Sequence, residues 1–170
     1  SRVALRSWGV LAAFRRFDIQ ATSHGRVEGG TPRPGAFAYD NQDGERLRKV
    51  RVTWKPSEVV AVSNPPYGKL GDPPATLEQK LAAADPLTQI MRITIAATPA
   101  RICSGSPEFF DGKQLYALDF RPGHAVPVDP EQKALGVTTA VHCEIAYREV
   151  AGFKPPKTRS PKEDKLKSHI

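Results

Sequence analysis

The chain has 170 residues, enough for one domain whose core needs neither metals nor several disulfides. Hydrophobic residues make up 39% and charged residues 25%, while 16 prolines and 13 glycines favour many turns and few long helices, so a mainly β class is expected. No apolar run approaches the ~20 residues that cross a bilayer as a helix, which excludes a transmembrane helix. The net charge of +7 is uneven: Lys154 to Ile170 holds six basic residues against two acidic ones, and the body carries only +3. Around Arg15, Arg16, Arg46, Arg48, Lys49 and Arg51 there is neither a recognition helix nor an aromatic platform, so nucleic-acid binding is not expected.

In chain order, Ser7 to Phe14 is a short apolar segment with Trp8, Leu11 and Ala12 at helical offsets. It is too short for an export signal, so export implies a signal outside this numbering. From Phe17 to Ser23 the period becomes two, with Phe17, Ile19 and Ala21 on one face of a strand, before Gly25, Gly29 and Gly30 loosen the chain into a turn. The prolines of Thr31 to Gly35 close off that strand. Ala36 to Tyr39 alternates again and leads to a hairpin turn at Asn41 to Gly44. Lys49 to Trp54 places Val50, Val52 and Trp54 on one face, and Val59 to Val62 follows as a short strand after Pro56-Ser57-Glu58.

Asn64 to Pro74 is a proline- and glycine-rich loop. Thr76-Leu77-Glu78-Gln79 reads as a capping box, and Asp85-Pro86 supplies a second N-cap with proline at the first helical position. Two short helices meeting near Ala84 are predicted, the second presenting Leu87, Ile90, Met91 and Ile95 on one face. Phe110-Asp111-Gly112-Lys113 predicts a type I′ hairpin turn, whose outgoing strand sets Tyr116, Leu118 and Phe120 on one face. In the last strand Val137, Thr139, Val141, Cys143, Ile145 and Tyr147 share a face, which points Cys143 inward. One antiparallel β-rich domain over residues 1–153 and a basic, proline- and lysine-rich tail over 154–170 are thus expected, the tail mobile or extended for want of apolar surface.

Two cysteines permit a single pairing, Cys103 with Cys143, and composition leaves open whether they are bonded or are two buried thiols. His24, His124, His142 and His169 lie far apart in sequence and fit no metal-ligand spacing, and no cofactor motif is present. A nucleophile elbow and a phosphate loop are absent. The carboxylate pairs Asp40 with Asp43 and Glu108 with Asp111 sit at turns, where solvation or backbone hydrogen bonding is the ordinary role.

With these residues in place, the chain resembles a bacterial envelope family known as domain of unknown function 3108. The resemblance rests on Asp85-Pro86-Leu87, on Cys103 followed by Phe110-Asp111-Gly112-Lys113-Gln114-Leu115-Tyr116, and on Cys143-Glu144-Ile145-Ala146-Tyr147 with Ala151-Gly152-Phe153-Lys154. His24-Gly25 and Pro34 to Tyr39 fit the same order, and the match covers most of residues 8–154. It implies export to the periplasm, an oxidised Cys103–Cys143 pair, and a curled antiparallel sheet forming a partial barrel or spiral with one or two short helices. Members carry further strands before the position of Ser1 and after the tail, whose absence here would leave sheet edges open to pairing. No catalytic residues carry over.

The leading functional expectation is a non-enzymatic periplasmic domain binding a lipidic, glycan or protein ligand of the envelope on a concave sheet face, with Trp54, Tyr116 and Phe120 as lining candidates if they are not plain core. The second is an interaction or scaffold protein that docks through an open sheet edge and the basic tail. The third is an envelope-polymer hydrolase, which requires Asp40, Asp43, Glu108 and Asp111 to converge in a cleft.

Overall fold

The computed structural model describes residues 1–6, 17–96, 101, 103–134 and 136–154. The apolar segment of residues 7–14 and the tail from residue 155 onward, for which a helix start and an extended conformation are expected, lie outside them. The described elements are β1 (Arg2–Arg6), β2 (Phe17–Glu28), β3 (Thr31–Asp43), β4 (Arg46–Lys55) and β5 (Glu58–Asn64), then α1 (Leu77–Ala82) and α2 (Pro86–Ala96). They continue with β6 (Glu108–Phe110), β7 (Leu115–Val126), α3 (Pro130–Ala134) and β8 (Ala140–Ala151). The mainly β, antiparallel expectation is met. The strands form two sheets, a five-stranded meander in the order β1-β2-β3-β4-β5 and a three-stranded sheet in the order β6-β7-β8, and neither closes into a barrel.

The meander is built from local hairpins. Gly29 and Gly30 form the two-residue β2–β3 turn with φ of +55° and +79°, the doubly positive geometry that a side chain would strain. β2 runs through Gly25 rather than ending there, shifting register at His24/Gly25. β3 likewise begins at Thr31 and includes Pro32 and Pro34, where a break was expected. The reason is positional: β4 pairs with β3 only from Ala36 onward, so both prolines lie at an edge where a residue lacking an N–H is tolerated.

Register decides the faces. Tyr39 opposes Val50, Phe37 opposes Val52, and Val59 opposes Trp54, so these side chains share the inner face of the meander. Against them pack Phe110 of β6, Leu115 of β7, Ala151 of β8, Ala83 at the end of α1 and Leu87 of α2. The space between the two sheets is therefore a filled core. Gly112 enters it from the β6–β7 turn. A Cβ built there would lie 2.6 Å from Val50 Cγ1 and 2.9 Å from Val52 Cγ2, at a φ of +100°. Gly112→Ala is expected to lower stability by about 2 kcal/mol or more, through strain plus overpacking, as read from its urea midpoint.

The helix caps are as the sequence indicates. Thr76 accepts from the Gln79 N–H while Gln79 Oε1 accepts from the Thr76 N–H, and Asp85 Oδ1 accepts from the N–H groups of Leu87 and Thr88. Asp85 is fully buried, and its Oδ2 takes a 3.1 Å hydrogen bond from the Ser23 hydroxyl, which ties α2 to β2. The predicted apolar face of α2 is buried only at Leu87; Ile90 and Ile95 are more than half exposed. The helix is instead seated by its polar side, with Thr88 at Ser23 and Arg92 Nε donating to the Pro32 carbonyl at 2.8 Å.

Candidate ligand-binding face

The three-stranded sheet owes its shape to a turn and a staple. Asp111 to Gln114 form a four-residue loop between Phe110 and Leu115, not the two-residue type I′ turn expected. The Asp111 carboxylate accepts from the backbone of Lys113 and Gln114 at 2.8 and 2.7 Å, organising the loop while Gly112 reaches the core. Burial pushes that carboxyl above its ordinary range, and the two backbone donors oppose the rise. Further along, Leu118 and Phe120 donate their N–H groups to the carbonyls of Pro107 and Gly105. The segment before β6 is thereby laid along β7, which brings Cys103 within reach of β8.

Cys103 and Cys143 form a disulfide with Cα atoms 5.3 Å apart. It joins the segment ahead of β6 to the first third of β8. Cys143 is half-buried rather than inward-facing, because the side of this sheet that meets the core carries Leu115 and Ala117, both fully buried. Cys143, Ile145 and Tyr147 alternate onto the opposite side, and Val137 and Thr139 precede the strand altogether.

That outward side is apolar except at Glu149, which opposes Tyr116 at its end. Leu118 opposes Tyr147 and Phe120 opposes Ile145 in the β7–β8 ladder, and Phe109 opposes Tyr116 in the β6–β7 ladder. Rings run across it in sequence: Phe109 stacks on Tyr116 at 5.1 Å, Tyr116 meets Tyr147 at 5.4 Å, and Tyr147 meets Phe153 edge-on at 6.4 Å. Phe109 is buried, Tyr116, Leu118 and Phe120 are half-buried, and Ile145 and Tyr147 are 51% and 52% exposed. Burial, with the charges of Glu149 and Asp111, pushes the Tyr147 phenol up to about 12, and burial raises Tyr116 as well. Both phenols are therefore neutral across the physiological range.

Of the three lining candidates, the structure brings Tyr116 and Phe120 together on this strip and places Trp54 elsewhere. Trp54 lies on β4, half-buried, packed edge-on against Phe110 at 6.4 Å, with its indole N–H donating to the Lys80 carbonyl at 3.1 Å. Phe109, Tyr147 and Phe153 join the strip without being among the lining candidates; the alternation of β8 marks Tyr147, whereas the place of Phe109 and Phe153 follows only from the strand order.

The other side of the projecting β7–β8 hairpin is polar. Arg148 donates from Nε and Nη2 to Asp119, and Nη2 also reaches Ser106, whose hydroxyl bonds Asp119. The Arg148 and Ser106 donors hold the Asp119 carboxyl down at about 2. The pair's contribution is thus complete above the ordinary carboxylate pKa and is lost as pH falls through about 2. An NMR titration is expected to show that low midpoint for Asp119, and its return toward the ordinary range in Arg148→Ala.

His124 and His142, distant in sequence, are directly opposed across β7 and β8 with ring centroids 5.3 Å apart. Among the described residues, no three His, Cys, Asp or Glu side chains are grouped to hold a metal. The acidic pairs are dispersed in role. Asp40 lies on the outer face of the meander, 2.8 Å from Arg51, while Asp111 is committed to its own turn. A shallow cleft of about 270 Å³ lies apart from the aromatic strip, between β2, β3 and α2, lined by His24, Arg26, Arg33, Thr88 and Met91 among others. No family model, curated protein or solved structure matches the chain.

Proposed function

We propose that this protein is an exported, non-enzymatic binding domain of the bacterial envelope, as the family resemblance implies, and that it takes an apolar ligand, lipidic in class, on the outward strip of its three-stranded sheet. The observation that carries this reading is the exposure of Ile145 and Tyr147 beside Tyr116, Leu118 and Phe120 in one continuous apolar surface. A carrier of the hollow kind would hold its ligand between the sheets; here Phe110, Leu115, Val50 and Val52 fill that space, so the ligand is assigned to the outside. The Cys103–Cys143 bond supports an oxidising compartment.

The test is extraction of lipids from protein purified out of the periplasm, followed by mass spectrometry. A co-purifying lipid is expected with the wild type, reduced about tenfold in Ile145→Asp, since a carboxylate on the strip must be desolvated by an apolar ligand. Equal recovery from both proteins, or none from either, would refute the reading.

A further inference from the structure

We propose that β8 is a self-association edge, through which two copies of this chain pair antiparallel about a twofold axis at Ala146 and join their three-stranded sheets into one of six strands. β8 is twelve residues long, contains no proline, and pairs with β7 on one side only among the described residues. Such an edge presents a row of backbone donors and acceptors to any matching strand. The row has a definite end: at Gly152 and Phe153 the chain is already engaged with Pro73 and Asp72 by 2.9 Å backbone hydrogen bonds. The available segment therefore lies within Ala140–Ala151, with Ile145 and Ala146 at its centre.

The occupant follows from the side chains. In a twofold antiparallel pair with the axis normal to the sheet, opposed residues must project to the same face, so the axis passes through a residue and not between two. With the axis at Ala146, Glu144 opposes Arg148 of the second copy, and Arg148 opposes its Glu144, on the polar face. On the apolar face Ile145 opposes Tyr147 twice over. The small Ala146 side chains meet at the axis. Shifting the axis to Ile145 sets Arg148 against His142 and Glu144 against Ala146; shifting it to Tyr147 sets Ile145 against Glu149. Of these three, the Ala146 register alone sets Glu144 against Arg148 and Ile145 against Tyr147, while Cys143 then opposes Glu149 and His142 opposes Val150. Arg148 can serve both partners, since its contacts to Asp119 and Ser106 use Nε and Nη2 and leave Nη1 to the new carboxylate. Pairing would also run the two aromatic strips together on one side of the enlarged sheet. This inference does not depend on the ligand proposed above.

The test combines sedimentation velocity of the full chain with cysteine trapping. A concentration-dependent monomer–dimer equilibrium is expected, weakened about tenfold by Glu144→Lys, which sets like charges opposite each other at two places. An equimolar mixture of Ile145→Cys and Tyr147→Cys proteins, both altered at exposed positions, should give a disulfide-linked dimer under mild oxidation that neither protein gives alone, with the Cys103–Cys143 bond verified intact by peptide mass analysis. A monomer at every concentration tested, a Glu144→Lys protein that dimerises as the wild type does, or trapping of Ile145→Cys by itself would each overturn the proposal.

Discussion

Replacing Phe110 by alanine is expected to lower folding stability by about 3–5 kcal/mol, enough to remove most of the 5–15 kcal/mol typical of a domain. Phe110 is 1% exposed and is the side chain through which the shortest strand, β6, reaches the meander. Its ring meets Trp54 edge-on at 6.4 Å and belongs to the cluster containing Val50, Val52 and Leu115. Truncation would leave a void between two sheets whose backbones are fixed by their own ladders, so little relaxation is available to fill it. Urea denaturation followed by far-ultraviolet circular dichroism reads the effect. Phe120→Ala supplies the contrast: Phe120 is half-buried on the outward strip and should cost distinctly less. Equal losses for the two variants would contradict the assignment of one ring to the core and the other to the strip.

The second large effect belongs to the staple. Forty residues separate Cys103 from Cys143, and the loop-closure entropy removed from the unfolded chain by a bond of that span corresponds to about 4 kcal/mol. A Cys103→Ala/Cys143→Ala variant is expected to lose about that much, with the loss concentrated where the β7–β8 hairpin projects beyond the core. Residues Arg121 to His124 and His142 are exposed there, and few apolar contacts take over the work of the bond. Hydrogen exchange should therefore rise first in Arg121–Val126 and Ala140–Glu144, ahead of β3 and β4. Unchanged stability and exchange on removing both cysteines would show that the bond constrains nothing.

How far these features can be read from sequence depends on the range of the forces that make them. The capping box at Thr76 and the N-cap at Asp85 are local hydrogen bonds between near neighbours, and they appear in the structure as their sequences indicate. The same signal stands at Asp129-Pro130-Glu131-Gln132, where Asp129 and Gln132 cap α3 reciprocally, and applying the rule there would have found that helix. Alternation correctly groups Val50, Val52 and Trp54, and groups Cys143 with Ile145 and Tyr147. It cannot say which face of a strand meets another sheet. For β8 the apolar set faces outward because the core is served by Leu115 and Ala117 of the neighbouring strand, a fact of strand order. Proline misleads at Pro32 and Pro34 for a related reason: its penalty depends on whether a neighbour needs its N–H, and the β3–β4 pairing reaches only as far as Ala36. Asp111-Gly112 carries a turn signal that holds, but the positive φ falls on Gly112 and not on Asp111, so the turn is not type I′.

The aromatic strip is where fold and proposed function meet, since it is made of residues whose burial the fold does not require. Its most direct test is a titration of isotopically labelled protein with a monomeric short-chain phospholipid, followed by backbone amide shifts. Shifts confined to Tyr116, Leu118, Phe120, Ile145 and Tyr147 and their immediate neighbours are expected, with the core strands β3 and β4 undisturbed. Shifts clustered instead at the His24 to Arg33 cleft, or none at saturating lipid, would contradict it.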